Sequence, residues 1–278
     1  MSLDVFAPSG RKLRLIGYAI NEGYGRPDAD LRGCLTDRDT LTARAGRRNY
    51  DSAEYLVNGD ADKQNIAELF AKAAAETKIG DGLMVGISGH GALGDDGRAL
   101  LTTAGCLTAP SFARACISGA EFRAFAGRIV AGATTVAWID TCHAFGARSF
   151  NPHVYSRPRF LPHPDPAVAA TSAAMAETNY GSVAGAFAHF GRRHDERGMV
   201  LDEVLWDVFL AACERLQTSA DTFRNGRYCG AFTDFMAEAE GPTSTVAEAV
   251  AETGRLLGSN GYSQRPVPDG SAYHLARP

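Results

Sequence analysis

The chain has 278 residues, 45% of them hydrophobic and 22% charged, with a formal net charge of -4. Those proportions fit a globular protein with a sizeable core, in one large α/β domain or two smaller ones. The slightly acidic balance argues against nucleic acid or an anionic membrane as partner. No apolar run is long enough to cross a bilayer, and the opening MSLDVFAPSGRK lacks the apolar core of a secretion signal, so the expected location is the cytoplasm.

The first predicted strand covers residues 13–20 and ends in a loop rich in Gly and Pro, residues 21–27. It starts so near the amino terminus that no N-terminal recruitment domain is expected. LRGCLTD leads into a helix through about Ala45, with Thr36 and Asp39 spaced as a capping pair. Residues 53–57 read as a weak strand, residues 58–60 as a turn, and Asp62 as the cap of a helix bearing Ile66, Leu69, Phe70 and Ala73. A strand at residues 83–87, a loop at 92–98, a short extended piece at 100–103 and a helix at 121–130 follow, then a strand at 136–139. Residues 145–166 hold five prolines and no period, and read as a loop. Beyond it the pattern suggests a strand at 167–172, helices at 185–190, 201–216 and 243–257, and a tail from Gln264 that closes a sheet edge. Strands alternating with helices predict an α/β sandwich.

Two stretches carry the chemistry: LMVGISGHG at residues 83–91 and TTVAWIDTCHAFG at 134–146. Each opens as an unbroken apolar run, the pattern of a strand buried on both faces of a parallel sheet. Each then stops at a reactive group, His90 in one and Cys142 in the other. Sites in open α/β sheets form beyond the carboxyl ends of the strands, so neighbouring parallel strands would bring His90 and Cys142 to one edge. A thiol and an imidazole so placed are a nucleophile and its base. The other cysteines, Cys34, Cys106, Cys116, Cys213 and Cys229, form no CxxC pair and read as free, buried thiols.

In this order, a strand, LRGCLTD, a strand, a helix, SGHG and a strand ending in DTCHAFG resemble the caspase-like cysteine peptidases, and specifically their metacaspase branch. The likeness covers residues 13–146, with a weaker echo through AATSAAMAETNYGSVAGAF, and a His about fifty residues before the Cys matches the caspase spacing. The resemblance implies one peptidase domain over residues 1–278: a large-subunit-like part at about 11–147, a loop at about 148–166 and a small-subunit-like part at about 167–278. It implies an αβα sandwich on a mostly parallel sheet of about six strands, and it leans towards a monomer. Two features depart from the family. Phe145 stands where a Gly is usual, and the segment after SGHG offers only Asp95 and Asp96, too few oxygens for strong calcium dependence.

Cys142 is then the nucleophile and His90 its acid–base partner, with the N–H groups of Gly91 and Cys142 as oxyanion donors. His143 is structural, because successive residues leaving a strand point apart. By resemblance, Asp37 and Asp140 line the first specificity pocket. Two carboxylates facing one slot suit a guanidinium, so cleavage after Arg, then Lys, is expected in peptide or protein substrates. The plainer alternative leaves Asp37 at a helix start and Asp140 in a strand-end hydrogen bond. Arg148, Arg157 and Arg159 in the following loop are candidate sites of self-cleavage, or of a cover over the pocket that a signal moves. A role in bacterial cell death or defence follows from resemblance alone. The alternatives are a cysteine amidase and a weakly catalytic sensor or scaffold, the latter favoured by Phe145. A zinc site lacks paired ligand spacing and SGHGALGDDG lacks the Lys-Ser/Thr of a phosphate loop, so no metal or cofactor is expected.

Overall fold

The computed structural model describes residues 11–142, 156–171, 189–194, 200–204, 206–213, 217–241 and 244–269. In chain order these form β1 (Leu13–Ala19), α1 (Cys34–Arg47), β2 (Ser52–Val57), α2 (Lys63–Glu76), β3 (Gly82–Ser88), β4 (Gly91–Leu93), β5 (Ala99–Leu101), α3 (Phe112–Ala115), β6 (Ile117–Ser118), α4 (Gly119–Ala126) and β7 (Thr134–Asp140). Next come β8 (Ser156–Pro158), a helical segment at residues 166–171 (α5), β9 (His189–His194), β10 (Val200–Val204), β11 (Val208–Ala211), β12 (Ala220–Arg224) and β13 (Arg227–Gly230). The order ends with α6 (Ala231–Ala239), α7 (Val246–Ser259) and β14 (Val267–Asp269).

Six strands make the central sheet in the order β14-β11-β7-β3-β1-β2, parallel except for β14. The expected mostly parallel, six-stranded sheet is therefore present, and the chain beyond Gln264 does close its edge. Alternation along each strand sends side chains to both faces. Leu83, Val85 and Ile87 of β3, Ala137 and Ile139 of β7, and Phe209 and Ala211 of β11 pack towards α2 and α4. Met84, Val136, Trp138, Val208 and Leu210 pack the other way, with Leu41 of α1, Phe232 of α6 and Val250 of α7. The unbroken apolar runs are thus strands covered on both sides, the middle layer of a sandwich. Phe209 is fully buried at its centre. Phe209→Ala is expected to lower unfolding free energy by about 3–5 kcal/mol, measured by denaturant titration.

The second half departs from its sequence reading. Over its described residues, the helix expected at 201–216 is replaced by two strands, β10 and β11. Val204, Val208 and Phe209 satisfy a helical spacing, but the run from Val208 to Ala211 is also the length of a buried strand, and it docks parallel to β7. Asp207 fixes that register by accepting from the Thr135 N–H at 2.8 Å. The strand expected at 167–172 is helical over its described residues, because the Asp165 carboxylate accepts from the N–H groups of Ala167 and Val168 and caps a turn that opens with Pro166. Of the helix expected at 185–190, His189 and Phe190 belong to β9 and the rest lies outside the described residues. Thr36 and Asp39 do not cap α1, which starts at Cys34 behind Gly33. Its first donors are met from a distance instead: Asn21 accepts from Cys34 N–H at 2.7 Å and Asp221 from Gly33 N–H at 2.8 Å.

Candidate active site

The β3–β7 register pairs Ser88 with Asp140 at the carboxyl ends of both strands. Two residues further along each chain stand His90 and Cys142. The two turns touch: a Cβ on Gly91 would fall 1.3 Å from the Cys142 carbonyl oxygen, so only glycine permits the contact. His90 is fixed on several sides. Its Nε2 lies 2.6 Å from the Ala29 carbonyl, its carbonyl accepts from Thr102 Oγ1 at 2.7 Å, and its N–H donates to Tyr24 Oη at 3.2 Å. The Tyr24 ring packs against the imidazole at 4.9 Å. Nδ1 is buried without a hydrogen-bond partner. Burial drives the ring's pKa down to about 4, against the opposing pull of the Ala29 and Arg159 carbonyls. The imidazole is therefore neutral near pH 7 in this state, with an open nitrogen facing the site.

Asp37 and Asp140 do share one slot, and it is occupied. Arg159, fully buried, lays its guanidinium between them: one terminal nitrogen is 2.6 Å from Asp37 Oδ2, the other 3.3 Å from Asp140 Oδ1. Asp221 is a third carboxylate, with Oδ1 3.1 Å from the first of those nitrogens. Ser88 Oγ accepts from the guanidinium at 2.8 Å and donates to Asp37 at 2.6 Å. Every acid is oriented by the frame around it. Gly230 N–H donates to Asp37 at 2.7 Å, while Ser219 Oγ and Thr233 Oγ1 donate to Asp140 at 2.6 and 2.8 Å. A Cβ on Gly230 would meet Asp140, Asp37 and the guanidinium within 2.8 Å, so that glycine forms the floor. Burial opposes the charge on Arg159, but Asp140 and Asp37 outweigh it and hold the guanidinium protonated. Burial, with Asp140 beside it, pushes Asp37 up, and Arg159 pulls it back down. Without a cation, such a slot tends to take up protons instead.

The backbone of Arg159 is held as closely as its side chain. Its carbonyl accepts from Gly91 N–H at 2.9 Å and from Cys142 N–H at 3.4 Å, the two donors expected from the sequence to hold an oxyanion. Its own N–H donates to the Ser219 carbonyl at 3.0 Å. The residues before it, β8, add antiparallel to β12, with Arg157 opposite Asp221. The Cys142 thiol is fully buried and donates to the Ser219 carbonyl at 3.1 Å. Burial and the neighbouring Cys213 raise its pKa well above the ordinary thiol value, against the pull of Arg159, so the sulfur is a neutral thiol here.

Cys142, His90, Gly91, Asp37 and Asp140 are therefore brought to one place around the Arg159 carbonyl and side chain. His143, Phe145 and Arg148 lie outside the described residues. The sequence reading missed Asp221, Ser88 and Ser219 as lining groups, and Tyr24 and the Ala29 carbonyl as supports for the imidazole. Ser88 was visible as the first residue of SGHG. Asp221, in an ordinary strand far along the chain, carried no local signal.

A family model described as "Caspase domain" matches residues 16–274. No curated protein sequence matches the chain. Among solved structures, the fold is similar to protein GSU0716 from Geobacter sulfurreducens, with a TM-score of 0.62 at 18% identity over 92% of both chains. It is also similar to caspase-1 from Spodoptera frugiperda, with a TM-score of 0.54 at 11% identity over 96% of this chain and 89% of that one. At such identities the likeness concerns the fold.

Proposed function

This chain belongs to the caspase-domain family, and on that premise we propose that it is a cysteine endopeptidase of metacaspase type, hydrolysing peptide bonds after arginine and, more slowly, lysine. The observation that carries the reading is the arginine in the slot: three carboxylates hold its guanidinium while its carbonyl rests on two N–H groups beside a thiol. A substrate arginine would take the same position. The Cys142 sulfur attacks its carbonyl carbon, and the thiol proton passes to the open Nδ1 of His90. Gly91 and Cys142 N–H groups hold the charge that develops on oxygen. His90 then gives the proton to the leaving nitrogen, and water, deprotonated by the same ring, hydrolyses the thioester.

Arginine is favoured over lysine because both terminal guanidinium nitrogens find separate acids, where an ammonium offers a single point charge. Aspartate at that position would add a fourth carboxylate to three. The site needs no cation for this chemistry. The two acids after SGHG do not converge on one, since Asp95 pairs with His163 at 3.0 Å and Asp96 with Arg98 at 3.2 Å. Fluorogenic peptides differing only in the residue before the cut provide the test. The expected order is Arg above Lys, with Asp at background. A preference for Asp, or turnover of small amides without any peptide hydrolysis, sinks the reading.

A further inference from the structure

The two oxygens of Asp140 have separate neighbours. Oδ1 stands 3.3 Å from a terminal nitrogen of the guanidinium in the slot and accepts from Ser219 Oγ at 2.6 Å. Oδ2 belongs to Thr233, which grips it twice, through its N–H at 3.1 Å and its Oγ1 at 2.8 Å. Two donors from one residue fix the plane of a carboxylate, whose terminal torsion is otherwise soft. That plane matters for the ligand. The guanidinium nitrogen facing Asp140 meets two uncharged oxygens besides, Ser88 Oγ at 2.8 Å and the Asp140 carbonyl at 3.0 Å. Oδ1 supplies the charge on that side, while Asp37 and Asp221 hold the other nitrogen.

The direction of the Thr233 hydroxyl is itself set. Thr233 lies in the first turn of α6, and a helical threonine can turn its hydroxyl back to a carbonyl three or four residues earlier. Here Trp138 Nε1 lies 3.2 Å from the same Oγ1. An indole N–H donates and cannot accept, so Oγ1 accepts from it and its single proton is left for Asp140. β7 explains the meeting. Trp138 and Asp140 are two positions apart on one strand and point to the same face, the one on which α6 packs. The indole is clamped in turn: its ring packs against Phe232 at 5.3 Å, and the Arg44 guanidinium, tied to Glu240 at 2.8 Å, lies over it at 5.8 Å. Trp138, Thr233 and Asp140 are all buried, so bulk water does not compete for these bonds.

We infer that Thr233, set by Trp138, is a positioning residue for substrate choice: it aims Asp140 at the second guanidinium nitrogen and so makes the slot prefer arginine to lysine. This rests on the arginine-directed peptidase reading above. Thr233 and Trp138 act through Asp140 and need no contact with the substrate. Without the hydroxyl, Asp140 keeps one bond from Thr233 and is freer to turn, and Oδ1 leaves the guanidinium. A lysyl ammonium is a point charge that settles among the remaining acids, so it loses less.

The test compares Thr233→Val, which keeps the shape and removes the hydroxyl, Thr233→Ser, which keeps the hydroxyl, and Trp138→Phe. Each is made in wild type and in the Arg159→Ala chain, where the slot is empty, and assayed on matched arginyl and lysyl fluorogenic peptides beside a thermal melt. The ratio of the two peptides is read within one protein, so competition by Arg159 cancels from it. Thr233→Val is expected to lower kcat/KM for the arginyl peptide by about 10- to 100-fold, the worth of a hydrogen bond to a charged group. The loss should lie in KM, with kcat within a few-fold, and the Arg-to-Lys ratio should drop by about fivefold or more. Thr233→Ser should match its parent within about threefold, and Trp138→Phe should lower the ratio by about three- to tenfold. An unchanged ratio in folded Thr233→Val overturns the inference even where overall activity drops, because a purely structural role lowers both peptides alike. Equal losses in Thr233→Ser and Thr233→Val overturn it as well. Where Thr233→Val does not fold, Trp138→Phe decides, and an unchanged ratio there is fatal. In each of these cases a parent that cleaves arginyl peptides keeps the peptidase reading standing; a parent that cleaves neither peptide takes both down.

Discussion

Cys142→Ala is expected to retain less than about one part in 10⁴ of the peptide hydrolysis of wild type, the scale on which loss of a covalent nucleophile is felt. The geometry leaves no substitute. The backbone N–H groups at positions 91 and 142 would still polarise a bound carbonyl, and the acidic slot would still orient an arginine, so with Arg159→Ala added to empty the slot the variant should bind arginyl peptides while failing to cut them. Such residual polarisation is worth a few powers of ten over water and does not replace the missing attack. Cys213 is close enough to act on the Cys142 thiol, but its own thiol is engaged with backbone carbonyls, at 3.8 Å to Thr141 and 3.4 Å to Gln217. His90→Ala should approach the same floor, and the double variant should fall little further, because the two groups act as one unit. Steady-state rates together with a thermal melt to confirm folding decide the matter. Activity above about one per cent in a folded Cys142→Ala protein would assign the chemistry elsewhere.

What could be read from residues alone followed the length of the signal. β3 and β7 were legible because each is an unbroken apolar run that stops at a polar group, and burial on both faces is the only packing that suits such a run. Their pairing put His90 and Cys142 on one edge, as two strand ends two residues past a shared register must be. β11 was not legible: four apolar residues flanked by Asp207 and small residues fit a strand and a helical face equally well, and only the exposed edge of β7 decides between them. Asp37 and Asp140 were found by resemblance, Asp221 not at all, because its role comes from β12 lying beside the start of α1, a contact between positions 188 residues apart. Arg159 was named only as one of three arginines in a loop. Nothing local distinguished it from Arg148 or Arg157; what marks Arg159 is that its carbonyl reaches the Gly91 N–H.

Asp140→Asn is expected to lower kcat/KM for arginyl peptides by roughly 30- to 4000-fold, the equivalent of the about 2–5 kcal/mol lost when one partner of a buried, hydrogen-bonded charge pair is truncated. An amide there removes the negative charge facing the guanidinium, and its NH2 replaces one accepting oxygen, so it faces either Ser219 Oγ or the Thr233 N–H and Oγ1, which themselves donate. The background on which this is measured matters. In the wild-type chain Arg159 and an incoming arginine lean on the same three acids, so weakening the slot also loosens its resident occupant. The two effects on KM then partly cancel. With Arg159→Ala as background the competitor is gone and the full loss should appear, so Asp140→Asn should look milder in the wild-type chain than in the Arg159→Ala chain. Lysyl peptides, which reach the slot with one ammonium, should lose less than arginyl ones in both. Folding should survive, since an empty slot holding three carboxylates is relieved by losing one. If Asp140→Asn keeps arginyl turnover within about threefold in the Arg159→Ala chain, the acids serve the fold and not the choice of substrate.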